Sequence, residues 1–281
     1  MRPLTPKTLI LQLLSAGAGQ SLPVEALIQV GDLFGFKGNA VRVALARLAK
    51  DFKVESDERG QYHIHPQHNP MDQWVGEWRL GIKRMKKWNG GWLMAALPPK
   101  SETRDRGQGL KVLHRFGFRE GLPGIWVRPH NLKDPLPQLR AQLYSLGLSR
   151  NVELFTADQI EGALAKRWQQ QLWQISNLAK HYRGLLETLK KSQKKLVAMP
   201  LDQALVESFV LGGEVIWALA RDPLLPEELC PTQALQQLTQ AMLDYDRMGR
   251  NLWAKRLSDF ALKNIPVRLS LVEGAAERKI S

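Results

Sequence analysis

A helix–turn–helix pattern between residues 24 and 50 constrains the fold of this chain more than any other feature. Four apolar residues recur at the i, i+3, i+4 and i+7 spacing of one helix face: Val41, Ala44, Leu45 and Leu48. An apolar segment from Val24 to Phe34 precedes them, and Gly35-Phe36-Lys37-Gly38 lies between with the composition of a tight turn. The sequence therefore predicts two short helices joined by a turn.

The residues outside this apolar stripe are mostly basic or polar: Lys37, Asn39, Arg42, Val43, Arg47 and Lys50. Asn39 is the predicted N-cap, because its short side chain can accept a hydrogen bond from the first helical turn. A recognition helix presents such a face to the DNA major groove. An ordinary amphipathic hairpin with a solvated basic face is the alternative.

Two short alternating segments follow, over residues 52–56 and 61–65. Asp57-Glu58-Arg59-Gly60 separates them, so the pattern predicts a β-hairpin. A hairpin directly after a recognition helix is typical of the wing of a winged helix. Such a wing would place Arg59 at its tip, beside the phosphate backbone.

Three histidines in and after the hairpin have the spacing of metal ligands: His63, His65 and His68. The first two would share one face of the second wing strand. No cysteine lies near them, and His68 falls in a proline-flanked loop. We therefore favour exposed wing histidines over a zinc site.

The chain divides by pattern into a multi-domain α+β protein. We expect a winged helix DNA-binding domain in residues 1–68, with its first helix starting near Thr5-Pro6, and a basic linker helix in 69–89. Strands alternate with helices in 90–158, which predicts a small ferredoxin-like α+β domain. Residues 159–281 are predicted to form a helical C-terminal domain.

The helical region begins with an apolar period from Leu164 to Leu189, which predicts one long helix. Two more helices are expected, near residues 201–220 and 232–260. The long helix carries more apolar surface than one domain edge needs. We therefore expect the tail to contribute to a symmetric homodimer.

The net charge of +13 is concentrated in residues 69–140, which hold 14 Lys and Arg against 6 Asp and Glu. Residues 1–68 hold 8 against 6. This distribution suggests a polyanionic partner, either nucleic acid or a phosphate-bearing small molecule, with a solvated surface as the alternative. The single cysteine, Cys230, and the interrupted apolar run near the N-terminus suggest a cytoplasmic protein without a membrane partner.

Motifs for catalysis are not apparent in the sequence. There is no nucleophile elbow, Walker loop or dinucleotide-binding glycine pattern. A nuclease on a ferredoxin-like fold would need an aspartate at the end of its first strand, where this chain has Ala96-Leu97-Pro98. We expect no enzymatic activity, no resident cofactor and no metal.

Taken together, these features resemble the PaaX family, bacterial repressors of phenylacetate degradation, over nearly the whole chain. The resemblance rests on Gly35-Phe36 with Asn39 to Leu48, on Leu113, Phe116-Gly117-Phe118 and Pro123 to Pro129, and on Leu172-Trp173, Tyr182 and Arg221 to Leu229. The last run is the most specific of these. One departure is Leu97-Pro98-Pro99, where the family usually has an Asp-Val-Pro type of strand ending.

The resemblance implies a GntR-like winged helix, a homodimer on a palindromic operator, and release by an aryl-CoA thioester such as phenylacetyl-CoA. A CoA thioester needs a cationic cluster beside an aromatic or aliphatic slot. The residues that fit this composition are Lys83, Arg84, Lys86, Lys87, Trp88, Trp92, Arg104, Lys111 and Arg115. Operator phosphates or bulk solvent are the alternatives for the same basic residues.

Within the DNA-binding domain, Arg42 and Asn39 are predicted to contact bases, since Arg suits guanine O6/N7 and Asn suits adenine. The predicted phosphate contacts are Lys37, Arg47, Lys50 and Arg59. Arg47 has an alternative, an i,i+4 ion pair with Asp51.

The sequence thus predicts a ligand-responsive transcriptional repressor of an aromatic catabolic operon. One alternative is a nucleic-acid-processing enzyme or factor that uses the basic central domain. Another is a scaffold whose winged helix binds a protein.

Overall fold

A computed structural model of the chain describes residues 4–16, 21–57, 60–65, 74–99 and 106–264. The helices are α1 (Pro6–Ala16), α2 (Val24–Leu33), α3 (Gly38–Lys50), α4 (Arg106–Arg115), α5 (Leu136–Ser145), α6 (Gly162–Gln171), α7 (Ile175–Leu196), α8 (Leu201–Ala220) and α9 (Gln233–Asn264). The strands are β1 (Leu22–Pro23), β2 (Val54–Ser56), β3 (Gln61–Ile64), β4 (Trp92–Ala96), β5 (Arg119–Leu122), β6 (Ile125–Pro129) and β7 (Glu153–Ala157). A 3₁₀ segment spans Glu77–Arg84.

The N-terminal unit packs α1, α2 and α3 beside a small antiparallel sheet of order β1-β3-β2. Val41, Ala44, Leu45 and Leu48 are all buried in its core, as the helical spacing predicts. Helix α1 begins at Pro6, and the Thr5 hydroxyl accepts a hydrogen bond from the Thr8 N–H (3.2 Å). Strand β1 has only two residues, too few to produce an alternating pattern.

The start of α3 differs from the prediction, because Asn39 is not its N-cap. Lys37 is the extended residue before the helix, and its carbonyl accepts from the N–H groups of Ala40 (2.8 Å) and Val41 (3.3 Å). Gly38 is therefore already helical, and Asn39 lies inside the first turn with an exposed side chain.

Close contact between α2 and α3 depends on Gly31. A Cβ atom built there would lie 2.6 Å from Cγ2 of Val41 on α3. The turn that follows contains Gly35 with φ +76°, a left-handed conformation that favours glycine. The packing of the two helices thus depends on Gly31 where they cross and on Gly35 in the turn between them.

The segment after the wing is not the predicted linker helix. Of the linker region 69–89, residues 69–73 lie outside the described residues, and from Glu77 to Arg84 the chain forms a 3₁₀ segment broken at Gly81 (φ 48°, ψ −128°). Gly81 packs against Thr239 of α9, and Trp74 and Trp78 are buried. The segment is therefore fixed by the helical tail, so its local helical pattern is overridden by packing.

The central unit follows the order β4-α4-β5-β6-α5-β7, with an antiparallel sheet of spatial order β5-β6-β4-β7. This is the βαββαβ arrangement of a ferredoxin-like domain. Three of the four strands match predicted ones. Strand β5 was not predicted, because Arg-Glu-Gly-Leu carries no apolar alternation.

Both faces of this sheet are covered by the chain itself. Leu93 and Ala95 of β4 pack with α4 and α5, whereas Trp92 and Met94 pack with Trp168, Trp173, Leu225 and Cys230. The carbonyl of Leu154 on the edge strand β7 accepts from the Arg140 guanidinium (3.0 Å). Side-chain capping of this kind discourages pairing with a foreign strand.

The predicted long helix is two helices, α6 and α7, separated at residues 172–174. The indole of Trp173 turns inward at this break and donates to the carbonyl of Gly117 (3.0 Å). The apolar stripe of α7 then packs within the same chain, with Tyr182, Leu185 and Leu189 buried beside α8 and α9. Surplus apolar surface on this helix is therefore not an argument for a dimer.

Helix α8 is long and apolar enough to cross a membrane by length and composition alone. In the structure Leu205, Leu211 and Val215 are buried. Of these, Leu211 and Val215 belong to the core cluster shared with α7 and α9. The helix therefore occupies the position of a core helix.

Replacing Gly31 by alanine should destabilise the N-terminal unit by about 1–3 kcal/mol, because the new methyl group would overlap Val41. Reduced hydrogen-exchange protection of the α2 and α3 amides would measure this loss. Gly213→Ala is the matched control, since nothing lies within 4 Å of its Cβ position in α8. It should be neutral or stabilise by up to about 1 kcal/mol. Equal protection in both variants would contradict the close-packing argument.

Candidate nucleic-acid interface and ligand site

The outer face of α3 carries every predicted DNA-contact residue of the helix and its turn. All six are exposed: Lys37, Asn39, Arg42, Val43, Arg47 and Lys50. They are presented rigidly, because the opposite face of α3 is buried against α1 and α2. The helix is 13 residues long, about 20 Å at 1.5 Å per residue, which suits a major groove.

The basic residues of this face form no ion pair within the described part of the chain. Asp51, the alternative partner of Arg47, instead pairs with Lys7 of α1 (Oδ2 to Nζ, 3.1 Å). The hydrogen bond from Lys7 lowers the pKa of Asp51 below its usual value. Lys37, Arg42, Arg47 and Lys50 have no ion pair with any described carboxylate, so their charges face outward.

The predicted wing corresponds to the antiparallel pair β2 and β3, in which Val54 lies opposite Ile64. Arg59 lies outside the described residues. His63 and His65 both approach Glu55, with Nε2 to carboxylate distances of 2.8 and 3.7 Å. His68, the third histidine of the zinc site that we considered and did not favour, lies outside the described residues.

Phe52, between α3 and the wing, is a candidate that sequence reasoning missed. It occupies a left-handed backbone conformation (φ 51°), and 74% of its surface is exposed. Lys53 N–H bonds to Leu48 O and Phe52 N–H to Ala49 O, which is the Schellman pattern that glycine normally completes. An exposed aromatic residue held at a cost of about 1–2 kcal/mol in strain points to a contact role. The only signal in the sequence was Phe52 itself, a bulky residue just after the end of a helix, where glycine is usual.

The basic cluster of residues 83–92 does not form an open slot. Arg84 is 9% exposed and pairs with Glu77 (2.8 Å). Trp92 is fully buried and packs on Trp88, Trp168 and Trp173 with ring centroids 5.2–6.2 Å apart. Arg84 and Trp92 thus have structural partners, while three lysines remain exposed: Lys83, Lys86 and Lys87.

The other predicted ligand residues lie on α4. Lys111 is exposed on that helix, Arg115 is half-buried at its end, and Arg104 lies outside the described residues. The indole N–H of Trp88 donates to Gly91 O (2.6 Å), and Lys86 Nζ lies 3.4 Å from His130 Nε2. The structure therefore separates the predicted residues into those with structural contacts, such as Arg84 and Trp92, and exposed lysines. The exposed lysines lie in and after the 3₁₀ segment and on α4: Lys83, Lys86, Lys87 and Lys111.

The central region of the chain matches a known protein family. Residues 85–184 match the family model described as the PaaX protein central Cas2-like domain. These residues form a PaaX central domain. The resemblance predicted from the sequence is thereby confirmed, and the matched region covers the ferredoxin-like sheet described above.

The fold is also found in a solved structure. An uncharacterized protein, Rv0674 from Mycobacterium tuberculosis, is similar with a TM-score of 0.56 over 88% of this chain and 100% of that chain, at 23% identity. At this identity the likeness concerns the fold alone. No curated protein matches the sequence.

The most specific part of the PaaX resemblance, Arg221 to Leu229, forms the junction between the central unit and the helical tail. Arg128 of β6 is 2% exposed, and its guanidinium donates to the carbonyls of Phe116, Pro129 and Pro223. Asn131 is also buried and donates to Leu224 O (2.8 Å). Residues 221–229 are thus held against the sheet by hydrogen bonds from Arg128 and Asn131 to backbone carbonyls.

A carboxylate completes this junction. Asp222 accepts hydrogen bonds from the Tyr182 hydroxyl and from the Leu224 N–H (2.6 Å). Burial raises the pKa of Asp222 to about 6, although both hydrogen bonds act in the opposite direction. Burial and the nearby Arg84 lower the pKa of Arg128 to about 9, so Arg128 stays charged at neutral pH.

Asp222 should make the protein less stable as pH rises. A carboxyl group whose pKa is higher in the folded state favours folding below its unfolded value near 3.8, and this contribution disappears as pH rises through about 6. Wild type should therefore lose up to about 3 kcal/mol relative to Asp222→Asn between pH 4 and pH 7. Denaturant midpoints of both proteins across this range measure the difference. Parallel pH profiles would show that Asp222 does not titrate there.

Proposed function

We propose that this PaaX-family protein is a ligand-responsive transcriptional repressor, with a winged helix in its N-terminal unit that binds operator DNA. The order of three helices and two wing strands supports this assignment. Transcription regulation is the role that the family itself suggests. The regulated genes would be an aromatic catabolic operon of the phenylacetate type.

One observation carries the proposal: a rigid helix with exposed basic residues that form no ion pair within the described part of the chain. Helix α3 buries one face and leaves Lys37, Arg42, Arg47 and Lys50 facing outward. Duplex DNA binds such a face, because its phosphates attract the cations and its bases accept from arginine in the major groove. Phe52 is placed to contact the sugar–phosphate backbone or a thymine methyl group between helix and wing.

We further propose that the repressor acts as a homodimer on a palindromic operator and is released by an aryl-CoA thioester. Two recognition helices related by a two-fold axis would read half-sites about 34–36 Å apart. The positive charge of residues 69–140 supports a phosphate-bearing effector. The processing-enzyme alternative lacks a comparable feature, since the described residues contain no cluster of three or more potential metal ligands.

The proposal is tested by selecting bound sequences from a random duplex library with the full-length protein. Enrichment of a two-fold motif, with affinity that falls as salt rises, is the expected result. Recovery of no motif at any salt concentration would refute sequence-specific DNA binding. A scaffold that binds only proteins would give that outcome.

Arg42→Ala should lower affinity for the selected operator by about 1–3 kcal/mol and relax sequence preference at one position of each half-site. The reason is the loss of a bidentate contact to one base. Repeating the selection with the variant measures the preference at every position. An unchanged sequence profile would show that Arg42 does not read a base.

Lys50→Ala should weaken binding to all sequences alike and flatten the slope of log K against log salt by about one unit. A phosphate contact carries no sequence information, so the selected motif should stay the same. Lys190→Ala, on the exposed side of α7, is the matched control and should leave the slope unchanged. A changed motif for Lys50→Ala would reverse its assigned role.

A further inference from the structure

An aromatic contact joins the N-terminal unit to the helical tail. Phe34, the C-cap of α2, packs edge-on against Phe209 of α8, with ring centroids 5.2 Å apart. Phe209 in turn packs against Trp253 of α9, with ring centroids 5.9 Å apart. Both tail rings lie against the hydrophobic core of the N-terminal unit. We call these three side chains the docking contact.

The docking contact lies outside the buried core of either unit, since all three rings are only half-buried. The N-terminal core is formed by buried residues of α1, α2, α3 and β2, such as Leu14, Leu27 and Leu48. The core that α7, α8 and α9 share is formed by other residues, among them Leu211 and Met242. The contact therefore bears on how the two units are oriented rather than on whether each one folds.

Hydrogen bonds join the three tail helices beside Phe209. Ser192 of α7 donates its hydroxyl hydrogen to Glu207 of α8 (2.7 Å) and accepts from the Tyr245 hydroxyl of α9 (2.8 Å). Ser192 and Tyr245 are buried, and a satisfied buried network of this kind rigidifies the elements that it joins. Glu207 precedes Phe209 by two residues, so the network fixes the part of α8 that carries the ring.

Close packing of α8 and α9 places Phe209 and Trp253 side by side. A Cβ atom built on Gly249 of α9 would lie 3.6 Å from Cβ of Ser208, an ordinary contact distance, so the two helices touch at this point. Ser208 is next to Phe209 in α8, and Gly249 is about one helical turn before Trp253 in α9. The two rings thus form one preformed surface against which Phe34 packs.

Phe34 transmits this contact to the proposed recognition helix. Its N–H donates to the carbonyl of Gly31 (3.1 Å), so α2 fixes its backbone. Only the turn Gly35–Lys37 separates it from α3, which begins at Gly38. A single covalent connection between two units leaves rotation about its bonds open, so non-covalent contacts such as this one determine their relative orientation.

We propose that the docking contact orients α3 relative to the tail, and that Phe209 is a positioning residue that sets which half-site spacing the protein accepts. The second part rests on the proposed function, because it requires two recognition helices related by a two-fold axis. One base pair added between half-sites shifts the second site by about 3.4 Å and rotates it by about 35°. A protein whose recognition helices are held in a fixed orientation rejects that change, whereas one with freely rotating units tolerates it.

The orientation itself is tested without DNA, in the full-length protein with Cys230→Ala. Spin labels on Gln29→Cys of α2 and Lys190→Cys of α7, both at exposed positions, report the distance between the two units. Dilution with unlabelled protein restricts the signal to pairs within one chain. An intact docking contact should give one narrow distance distribution, and Phe209→Ala should broaden it.

The operator spacing is tested with duplexes that carry the selected half-sites at the selected spacing or one base pair further apart. Wild type should prefer the selected spacing. Phe209→Ala should reduce this preference about tenfold, the effect expected for one lost aromatic contact, with the half-site sequence unchanged. A ratio of two affinities of one protein does not depend on its folded fraction, so a general loss of stability would not alter the result.

Phe34→Leu reaches the same contact from the N-terminal unit and should change both measurements in the same direction. Val197→Ala is the control, since it shortens an apolar tail side chain that is 81% exposed, and it should behave as wild type. A broad distance distribution in wild type, or a narrow one in Phe209→Ala, would overturn the docking role.

The two parts of the proposal fail separately. A broadened distance distribution with an unchanged spacing preference would overturn the role of Phe209 in operator spacing and leave the docking role. Failure of wild type to bind any two-fold site would refute the proposed function and the spacing role with it. The distance measurement decides the docking role in either case, because it contains no DNA.

Discussion

The buried guanidinium of Arg128 is the interaction on which the arrangement of the central unit and the tail depends. Arginine has five N–H donors, and removing a cation from water is costly unless the donors find partners. Here they reach the carbonyls of Phe116, Pro129 and Pro223 and the side chain of Asn131. Those carbonyls belong to the sheet, the α4–β5 loop and the tail segment, so one side chain fixes all three.

This constraint explains why the chain cannot be divided cleanly after the ferredoxin-like sheet. Trp168 and Trp173 come from the region predicted as a separate helical domain, yet both pack on Trp92 of the sheet. Removal of the chain beyond Asp158 would expose Trp92 and Met94 and leave the donors of Arg128 without Pro223. A truncation there would therefore unfold the central unit before it reported on dimerisation.

The sequence predicted the features that depend on local periodicity. The buried stripe of α3, the extent of α8 and three strands of the central sheet follow from regular apolar spacing. Features set by distant contacts were missed or misplaced: β5 has no apolar alternation, and the break before α7 exists because Trp173 bonds to Gly117. The 3₁₀ segment is likewise shaped by Thr239 of the tail.

The residues of the candidate sites also divide into those that local spacing predicts and those that only the fold reveals. The exposed residues of α3 could be read from its period, because burial on one face determines exposure on the other. Arg84 and Trp92 matched the composition of a ligand site, but composition does not reveal that Glu77 and three tryptophans already contact them. Arg128 and Pro223 could not have been joined without the fold, since nothing in their spacing brings them together.

Helix α8 connects the N-terminal unit to the junction that Arg128 and Asn131 form with the segment after this helix. Phe34, the C-cap of α2, packs edge-on against Phe209 of α8 (ring centroids 5.2 Å apart), and Phe209 packs against Trp253 of α9 (5.9 Å). From Phe209 to Arg221 is 12 residues of continuous helix, about 18 Å at the α-helical rise. Hydrogen bonds along the helix keep that length fixed, so a displacement at the Arg221 end moves Phe209 as well. Because Phe34 directly precedes the turn into α3, the same rigid helix links the junction of the central unit and the tail to the base of the proposed recognition helix.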